Sequence, residues 1–214
     1  VDLSIAKGSV TGLIGPNGAG KSTLISAVSG FLPSYQGTIT LDGTPLDRLT
    51  PSARARKGLR RTFQTTAIAA ELTQHEYLAI VAGHPVDDAE DILAFFGCPP
   101  GAVPVSILDA GTRRLLDVAA AIAARPGVAL LDEPAAGQSA AESQALGRRL
   151  EQVPERFGVS LLLVEHDMDL VRAACDQVTV LDFGHVIAAG PTREALDDPA
   201  VRAAYLGTVL EETP

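Results

Sequence analysis

The chain has 214 residues, of which 46% are hydrophobic and 20% charged, and this composition predicts a globular protein with a sizeable core, built as one large domain or two small ones. Its net charge of −9 argues against a nucleic-acid-binding protein, because such proteins normally present a basic face. No stretch reaches the ~18 consecutive apolar residues of a membrane span, so we expect any association with a membrane to be peripheral and mediated by a partner.

The first pattern in the chain is a strand, a glycine-rich loop and a helix. Residues 10–14 are apolar and predict a buried strand, and residues 21–29 predict a helix. The loop between them has the form GxxxxGK[ST], in which backbone N–H groups surround phosphate oxygens at a helix N-terminus. We expect Lys21 to contact the β- and γ-phosphates of a nucleotide and the Ser22 hydroxyl to bind Mg²⁺. The predicted nucleotide-binding residues are Gly15, Pro16, Asn17, Gly18, Ala19, Gly20, Lys21, Ser22 and Thr23.

Short elements follow this unit. Alternation over residues 37–41 and the turn pair at 42–43 predict a hairpin, and residues 59–64 predict a short strand. Between them, Thr50 is expected to cap a helix that has proline at its first position and ends at Gly58. Five basic residues gather here, and they form either a solvated helix face or a contact surface. They are Arg54, Arg56, Lys57, Arg60 and Arg61.

The middle of the chain loses its strand signals and predicts a helical subdomain over residues 65–124. Its expected helices start at the capping box of Thr73 and Glu76 and at residues 88 and 111. After residue 124 the α/β pattern returns, with buried strands at 128–131 and 160–164, a helix from Ser139 toward Gln152, and a hairpin over 178–189. We therefore divide the chain into a core, residues 1–64 and 125–214, and the inserted helical subdomain. Two cysteines, Cys98 and Cys175, have no metal-site spacing and are expected to be reduced thiols.

Polar side chains follow two of the apolar strands. Asp132 and Glu133 come directly after one strand, where the first carboxylate can hold Mg²⁺ opposite Ser22 and the second can polarise an attacking water. His166 follows the next strand and is suited to stabilise the γ-phosphate and position that water. The same residues could instead be polar strand ends without a role.

Together these motifs resemble the ATP-binding-cassette (ABC) ATPases. Residues 15–22 resemble the Walker A motif, Leu130 to Glu133 resemble Walker B with its catalytic glutamate, residues 135–139 fall at the D-loop, and His166 matches the switch histidine. Gln64 resembles the Q-loop glutamine, which implies a role in catalysis and as an Mg²⁺ ligand. The short strings at 61–64, 132–137, 164–168, 182–188 and 204–207 are similar to the ATPase subunits of branched-chain amino-acid importers.

The resemblance implies an α/β P-loop NTPase core with a small antiparallel β part and the helical subdomain. It implies ATP and Mg²⁺ as ligands, and a head-to-tail dimer in which each ATP lies between the Walker A loop of one subunit and the signature loop of the other. The implied partners are transmembrane permease subunits, a second ATPase subunit and, indirectly, a solute-binding protein, with no nucleic acid. The implied location is the cytoplasmic face of the cell membrane.

Two features depart from the family pattern. The signature LSGGQ aligns with Leu108 to Thr112, in which Asp109 replaces a serine that contacts the opposite γ-phosphate and Ala110 replaces a glycine. A carboxylate at that position would repel the phosphate unless it is protonated or turned away, although Arg113 and Arg114 could partly offset its charge. Residues 1–14 also lack an aromatic residue that could stack on adenine.

These observations predict the ATP-hydrolysing subunit of an importer for branched-chain or related amino acids. Two alternatives stay open: a catalytically weakened nucleotide-binding regulator, and an ABC ATPase with no transport role. The degenerate signature also suggests an asymmetric dimer, in which the ATP site on this chain hydrolyses and the site that receives its signature loop works poorly.

Overall fold

The computed structural model describes residues 1–63 and 68–209, with side chains described up to residue 205. A six-stranded sheet has the order β4-β5-β6-β1-β7-β8, in which β8 runs antiparallel to β7 and the other neighbours are parallel. Its strands are β1 Val10–Ile14, β4 Leu59–Arg61, β5 Val128–Asp132, β6 Ser160–Val164, β7 Gln177–Asp182 and β8 His185–Pro191; β2 Thr40–Leu41 and β3 Thr44–Pro45 form a separate antiparallel pair.

Helices cover the faces of the sheet and fill the middle of the chain. They are α1 Lys21–Ser29, α2 Pro51–Arg56, α3 Gln74–Ala82, α4 Ala89–Phe96, α5 Ala110–Ala123, α6 Ala140–Phe157, α7 Met168–Ala174, α8 Thr192–Leu196 and α9 Pro199–Val209. No helix within the described ranges has the length and apolar character needed to cross a bilayer. The α/β fold and the small antiparallel pair agree with the sequence-based prediction.

The three central strands β1, β5 and β6 are buried along their whole length, because apolar clusters cover both faces of the sheet. Pairing of Leu13 with Val164, and of Asp132 with Val164, brings the carboxyl ends of all three strands to one edge. The loops that carry the predicted site therefore start side by side, which is where open α/β sheets bind ligands.

The predicted helical subdomain contains α3, α4 and α5. Their apolar side chains, among them Leu78, Ile92, Phe96 and Leu116, are fully buried and belong to the same cluster that covers one face of the sheet. The apolar core thus passes from the subdomain into the sheet without a break, and the boundaries at residues 65 and 124 remain a prediction.

Two helices differ from the sequence-based prediction. Helix α6 continues to Phe157 instead of ending near Gln152, and Pro154 lies inside it. Proline at that position removes a single backbone hydrogen bond, while the buried stripe that includes Leu150 and Val153 keeps the last turn packed. Helix α7 was not predicted at all; it has seven residues and is started by the Asp167 side chain, which accepts hydrogen bonds from two backbone N–H groups.

The basic cluster does not form one surface, contrary to both interpretations of it. Arg54 is 2% exposed, and its guanidinium donates hydrogen bonds to the carbonyls of Ala27, Val28 and Leu49. Two of these carbonyls belong to the last turn of α1, where a cation also interacts favourably with the helix dipole. The buried Arg54 side chain therefore binds the C-terminal end of α1.

Candidate functional site

The glycine-rich loop joins β1 to α1 as predicted. Gly15 has φ 151°, and a Cβ there would lie 2.1 Å from the carbonyl oxygen of Leu181, so the chain can take this path only with glycine. The turn between β7 and β8 supports the loop from outside, since the backbone N–H of Gly184 donates to the carbonyl of Ala19 over 2.9 Å. The turn between β7 and β8 thus fixes the glycine-rich loop at Ala19.

Lys21 is the first residue of α1, directly after this loop. Its Nζ donates hydrogen bonds to the carbonyls of Gly15 at 2.6 Å and Pro16 at 3.0 Å, and the residue is 8% exposed. Burial lowers the pKa of Lys21, whereas the charges of Glu133 and Asp132 act in the opposite direction. The charges of Asp132 and Glu133, at the end of β5, therefore act on Lys21 at the start of α1.

Two further predicted residues lie at the start of α1. Ser22 and Thr23 are both exposed in its first turn, next to Lys21. Their hydroxyl groups are accessible to a ligand seated on the loop. Gln64, predicted as the Q-loop residue, lies outside the residues that the structure describes.

Asp132 ends β5 and is 3% exposed. Its Oδ2 forms an ion pair with Arg61 at 3.0 Å, a contact that was not predicted. Its Oδ1 is buried and has no hydrogen-bond partner in the described part of the chain. An unpartnered buried carboxylate oxygen is costly unless a ligand completes it, and oxygen is the ligand atom that Mg²⁺ prefers. The donor set thus fits a magnesium ion.

Glu133 has φ 49°, a left-handed conformation that is uncommon for a residue with a side chain. Its backbone N–H donates to the carbonyl of Val164 at 2.9 Å, and its carbonyl accepts a hydrogen bond from Arg114 of α5 at 2.9 Å. These contacts fix the backbone on both sides. The side-chain Oε1 of Glu133 lies 3.9 Å from Nδ1 of His166, so the structure brings this predicted pair together.

Glu165 is a site residue to which the sequence analysis assigned no role. It is 1% exposed, and its carboxylate accepts hydrogen bonds from the backbone N–H groups of Ala135, His166 and Asp167. Burial raises the pKa of Glu165, while these hydrogen bonds act against that rise. The side chain joins the loop after Glu133 to the loop that carries His166. An acid directly after an apolar strand was the available signal.

The degenerate signature segment begins α5. Asp109 caps this helix, because its carboxylate accepts hydrogen bonds from the backbone N–H of Thr112 at 2.8 Å and from the hydroxyl of Thr112 at 2.7 Å. Both bonds lower the pKa of Asp109. The carboxylate is therefore ionised and bound to its own helix. Arg113 donates to the carbonyl of Ser106, a contact that gives Asp109 no direct compensation.

Comparison with known proteins gives a consistent result. The family model described as "ABC transporter" matches residues 1–136. The high-affinity branched-chain amino acid transport ATP-binding protein BraF of Pseudomonas aeruginosa is 32% identical, over 97% of this chain and 90% of the relative. The lipopolysaccharide export system ATP-binding protein LptB of Escherichia coli is also 32% identical, over 97% and 89% of the two chains. The solved ADP conformation of MJ1267, an ATP-binding cassette of an ABC transporter, superposes with a TM-score of 0.83 at 28% identity, over 97% and 91% of the two chains.

Proposed function

This chain belongs to the ABC transporter family as an ATP-binding and ATP-hydrolysing subunit, and we propose that it drives a branched-chain amino-acid importer from a site formed by Lys21, Asp132 and Glu133. The observation that carries the site is that β1 and β5 end at one edge of the sheet, which brings the loop before Lys21 beside Asp132 and Glu133, with the buried Oδ1 of Asp132 lacking a hydrogen-bond partner among the described residues. A lysine that neutralises phosphate charge and acids that hold a metal and a water are the parts that phosphoryl transfer requires.

We assign the nucleotide to the glycine-rich loop, with Mg²⁺ held by the Ser22 hydroxyl, Asp132 and Gln64. Oδ1 of Asp132, which has no hydrogen-bond partner among the described residues, is the oxygen available to the ion. When bound, Mg²⁺ neutralises charge on the β- and γ-phosphates. Lys21, whose Nζ is held by the loop carbonyls of Gly15 and Pro16, would exchange these contacts for phosphate oxygens.

The hydrolytic step is assigned to Glu133 and His166. Glu133 orients or deprotonates the attacking water, and His166 holds the γ-phosphate geometry from the neighbouring strand end. The 3.9 Å between their side chains supports a shared role, because a water or a phosphate oxygen can contact both groups at that separation. Gln64 is placed in the same set by its sequence motif alone.

The proposed cargo rests on the relatives and on the short strings of sequence described above. BraF is named for branched-chain amino acid transport, whereas LptB is named for lipopolysaccharide export at the same identity. The similarity of the short segments 61–64 and 164–168 to the ATPase subunits of branched-chain amino-acid importers favours the amino-acid importer. Purification of the complex from membranes, followed by identification of the co-purified permease and binding protein, distinguishes these two substrates.

The proposed permease contact is a groove that Phe31 and Phe63 line. It has a volume of about 370 Å³ and is lined by α1, α2 and β4 residues. Phe31 and Phe63 stand in it edge to face with ring centroids 5.5 Å apart, and they are 55% and 45% exposed. Two exposed aromatic rings in one groove are typical of a protein contact surface. We therefore propose a peripheral subunit that binds its permease at the cytoplasmic face of the membrane and has no nucleic-acid partner.

The structure of the signature segment also bears on the dimer. An ionised Asp109 at the start of α5 favours an asymmetric pair, in which this chain supplies working Walker residues and receives a sound signature loop from a different ATPase subunit. A catalytically weakened regulator is the second candidate, and the same carboxylate favours it.

One experiment tests the proposal. Nucleotide binding and Mg²⁺-dependent ATP hydrolysis are measured for the purified chain, alone and mixed with its candidate partner ATPase, and for the variant Lys21→Ala. We expect wild-type protein to bind ATP with Mg²⁺ and the variant to lose at least about 100-fold in affinity or rate. Binding without hydrolysis under every condition supports the regulator, and absence of nucleotide binding refutes the site.

A further inference from the structure

Arg61, the last residue of β4, occupies a position that none of the assigned roles uses. Its side chain is 11% exposed, and its Nη2 lies 3.0 Å from Oδ2 of Asp132. Its Nη1 lies 3.0 Å from the hydroxyl of Ser29 and 3.4 Å from that of Ser26. Its Cζ lies 4.9 Å above the ring of Phe63. The guanidinium therefore connects β5, α1 and the residue that precedes Gln64.

The two serines that contact Arg61 lie in the second half of α1, on the same face as the proposed Mg²⁺ ligand Ser22. Ser22, Ser26 and Ser29 have the spacing i, i+4 and i+7, so they lie along one face of the helix. Ser22 is the proposed Mg²⁺ ligand, and Ser26 and Ser29 contact Arg61. The guanidinium thus lies between the helix and the strand that would jointly hold the ion.

The two oxygens of Asp132 have unequal environments as a result. Oδ2 is bound by Arg61, whereas Oδ1 is buried without a hydrogen-bond partner in the described part of the chain. A carboxylate held through one oxygen by a planar donor cannot rotate freely about its last bond. The ion pair therefore determines which oxygen is available to a ligand.

We propose that Arg61 is a positioning residue for the metal site, which binds Oδ2 of Asp132 so that Oδ1 is presented to Mg²⁺. The inference rests on the proposed assignment of Mg²⁺ to Ser22 and Asp132. Partners that orient a metal-binding carboxylate from behind are worth roughly 10- to 100-fold in metal affinity. The positive charge of Arg61 repels the ion, and orientation of the buried carboxylate outweighs that repulsion.

The test follows the binding of a fluorescent ADP analogue while Mg²⁺ is added. It measures the Mg²⁺ concentration at which half of the increase in binding is reached, and also the affinity for the same analogue in EDTA. For Arg61→Gln we expect the half-saturating Mg²⁺ concentration to rise about 10-fold, while the affinity in EDTA changes less than about two-fold. Arg61→Lys keeps the charge but loses the planar fork, and it is expected to restore part of the loss. Arg60→Gln is the matched control, because its side chain projects to the other face of the same strand, and we expect it to bind Mg²⁺ like the wild type.

A half-saturating concentration for Arg61→Gln that is unchanged within two-fold, or lower than that of the wild type, overturns the positioning role. If Arg61→Gln does not fold, Arg61→Lys decides, since it keeps a cation beside Oδ2 of Asp132 but loses the planar fork that holds the carboxylate. Relative to the wild type we expect a rise of about two- to five-fold for Arg61→Lys, on the order of a weakened partner of a metal ligand, and no rise refutes the proposal. Wild-type binding that does not respond to Mg²⁺ refutes the proposed metal site itself, which is a separate result.

Discussion

Oε1 of Glu133 lies 3.9 Å from Nδ1 of His166, although 33 positions separate the two residues in the chain. Strands β5 and β6 are adjacent and in register, with Asp132 opposite Val164, so the residues after each strand leave the sheet side by side. The Glu165 carboxylate then binds the backbone of both loops. Pairing of the two parallel strands thus brings Glu133 close to Glu165 and His166, which are distant from it in the chain.

The first prediction concerns Glu133. Replacement Glu133→Gln keeps the size and the backbone conformation but removes the group that activates water, so ATP hydrolysis should fall at least about 100-fold. ATP affinity should stay within about two-fold of the wild type. Steady-state turnover and equilibrium nucleotide binding measure both quantities. Glu155→Gln, an exposed position on α6, is the control, and retained hydrolysis in Glu133→Gln would remove this residue from the mechanism.

The second prediction concerns the pair formed by Glu133 and His166. If Glu133 and His166 act on the same water and phosphate, their substitutions should not be additive. We expect His166→Ala to slow turnover at least about 10-fold and the double variant with Glu133→Gln to be no slower than the slower single variant within about three-fold. Turnover of the four proteins forms the cycle. Independent, multiplied losses would contradict a shared role.

The third prediction concerns the signature segment. Asp109→Asn and Asp109→Ser both remove the negative charge, and both side chains can still cap α5. If the ionised carboxylate repels the opposite γ-phosphate, turnover in the assembled dimer should rise roughly 10-fold for either variant. The variant is combined with Glu133→Gln in the same chain, which silences the site that uses this chain's Walker residues, so that turnover reports only the site that receives Asp109. Equal turnover before and after substitution would exclude a contact between Asp109 and the nucleotide.

The fourth prediction concerns Arg54. Substitution Arg54→Ala leaves the carbonyls of Ala27, Val28 and Leu49 without their buried donor, which should cost about 3 kcal/mol in the free energy of unfolding. Arg56→Ala, exposed on the same helix, should change it by less than about 0.5 kcal/mol. Urea denaturation measures both values. Similar stabilities for the two variants would show that Arg54 does not hold the end of α1.

The fifth prediction is a pH dependence at the start of α6. The hydroxyl and the backbone N–H of Ser139 donate to Glu142 and lower its pKa below the ordinary value of 4.5. An acid whose pKa is lowered by folding adds stability above its unfolded pKa and loses it as the pH falls through the folded pKa. Glu142→Gln can keep the hydrogen bonds without titrating. The wild type should therefore lose more stability than this variant between pH 7 and pH 3.

Thermal unfolding at several pH values measures that difference, with Glu151→Gln on the same helix as the control. We expect the curves of the wild type and the Glu151 variant to run parallel. A parallel curve for Glu142→Gln would indicate that the capping box does not contribute to acid sensitivity.

Much of the fold could be predicted because its signals are local. The glycine-rich loop with its strand and helix, the capping boxes at Thr73 and Ser139, and the hairpin of β7 and β8 all match the prediction. Each depends on residues a few positions apart, whose backbone preferences do not need the rest of the chain. The prediction ended α6 near Gln152, whereas burial of Leu150 and Val153 in the apolar core accompanies its continuation to Phe157.

The sequence by itself determined the order of the chemical groups: a lysine and a hydroxyl after one strand, two acids after another, and a histidine after a third. Only the tertiary structure decided which partners these groups have. The ion pair of Arg61 with Asp132 joins positions 71 residues apart, the burial of Arg54 depends on the end of α1, and Glu165 joins two loops. Such contacts arise when strands pair and side chains lose water, and the free energy of burial depends on the whole surrounding core, which no local pattern encodes.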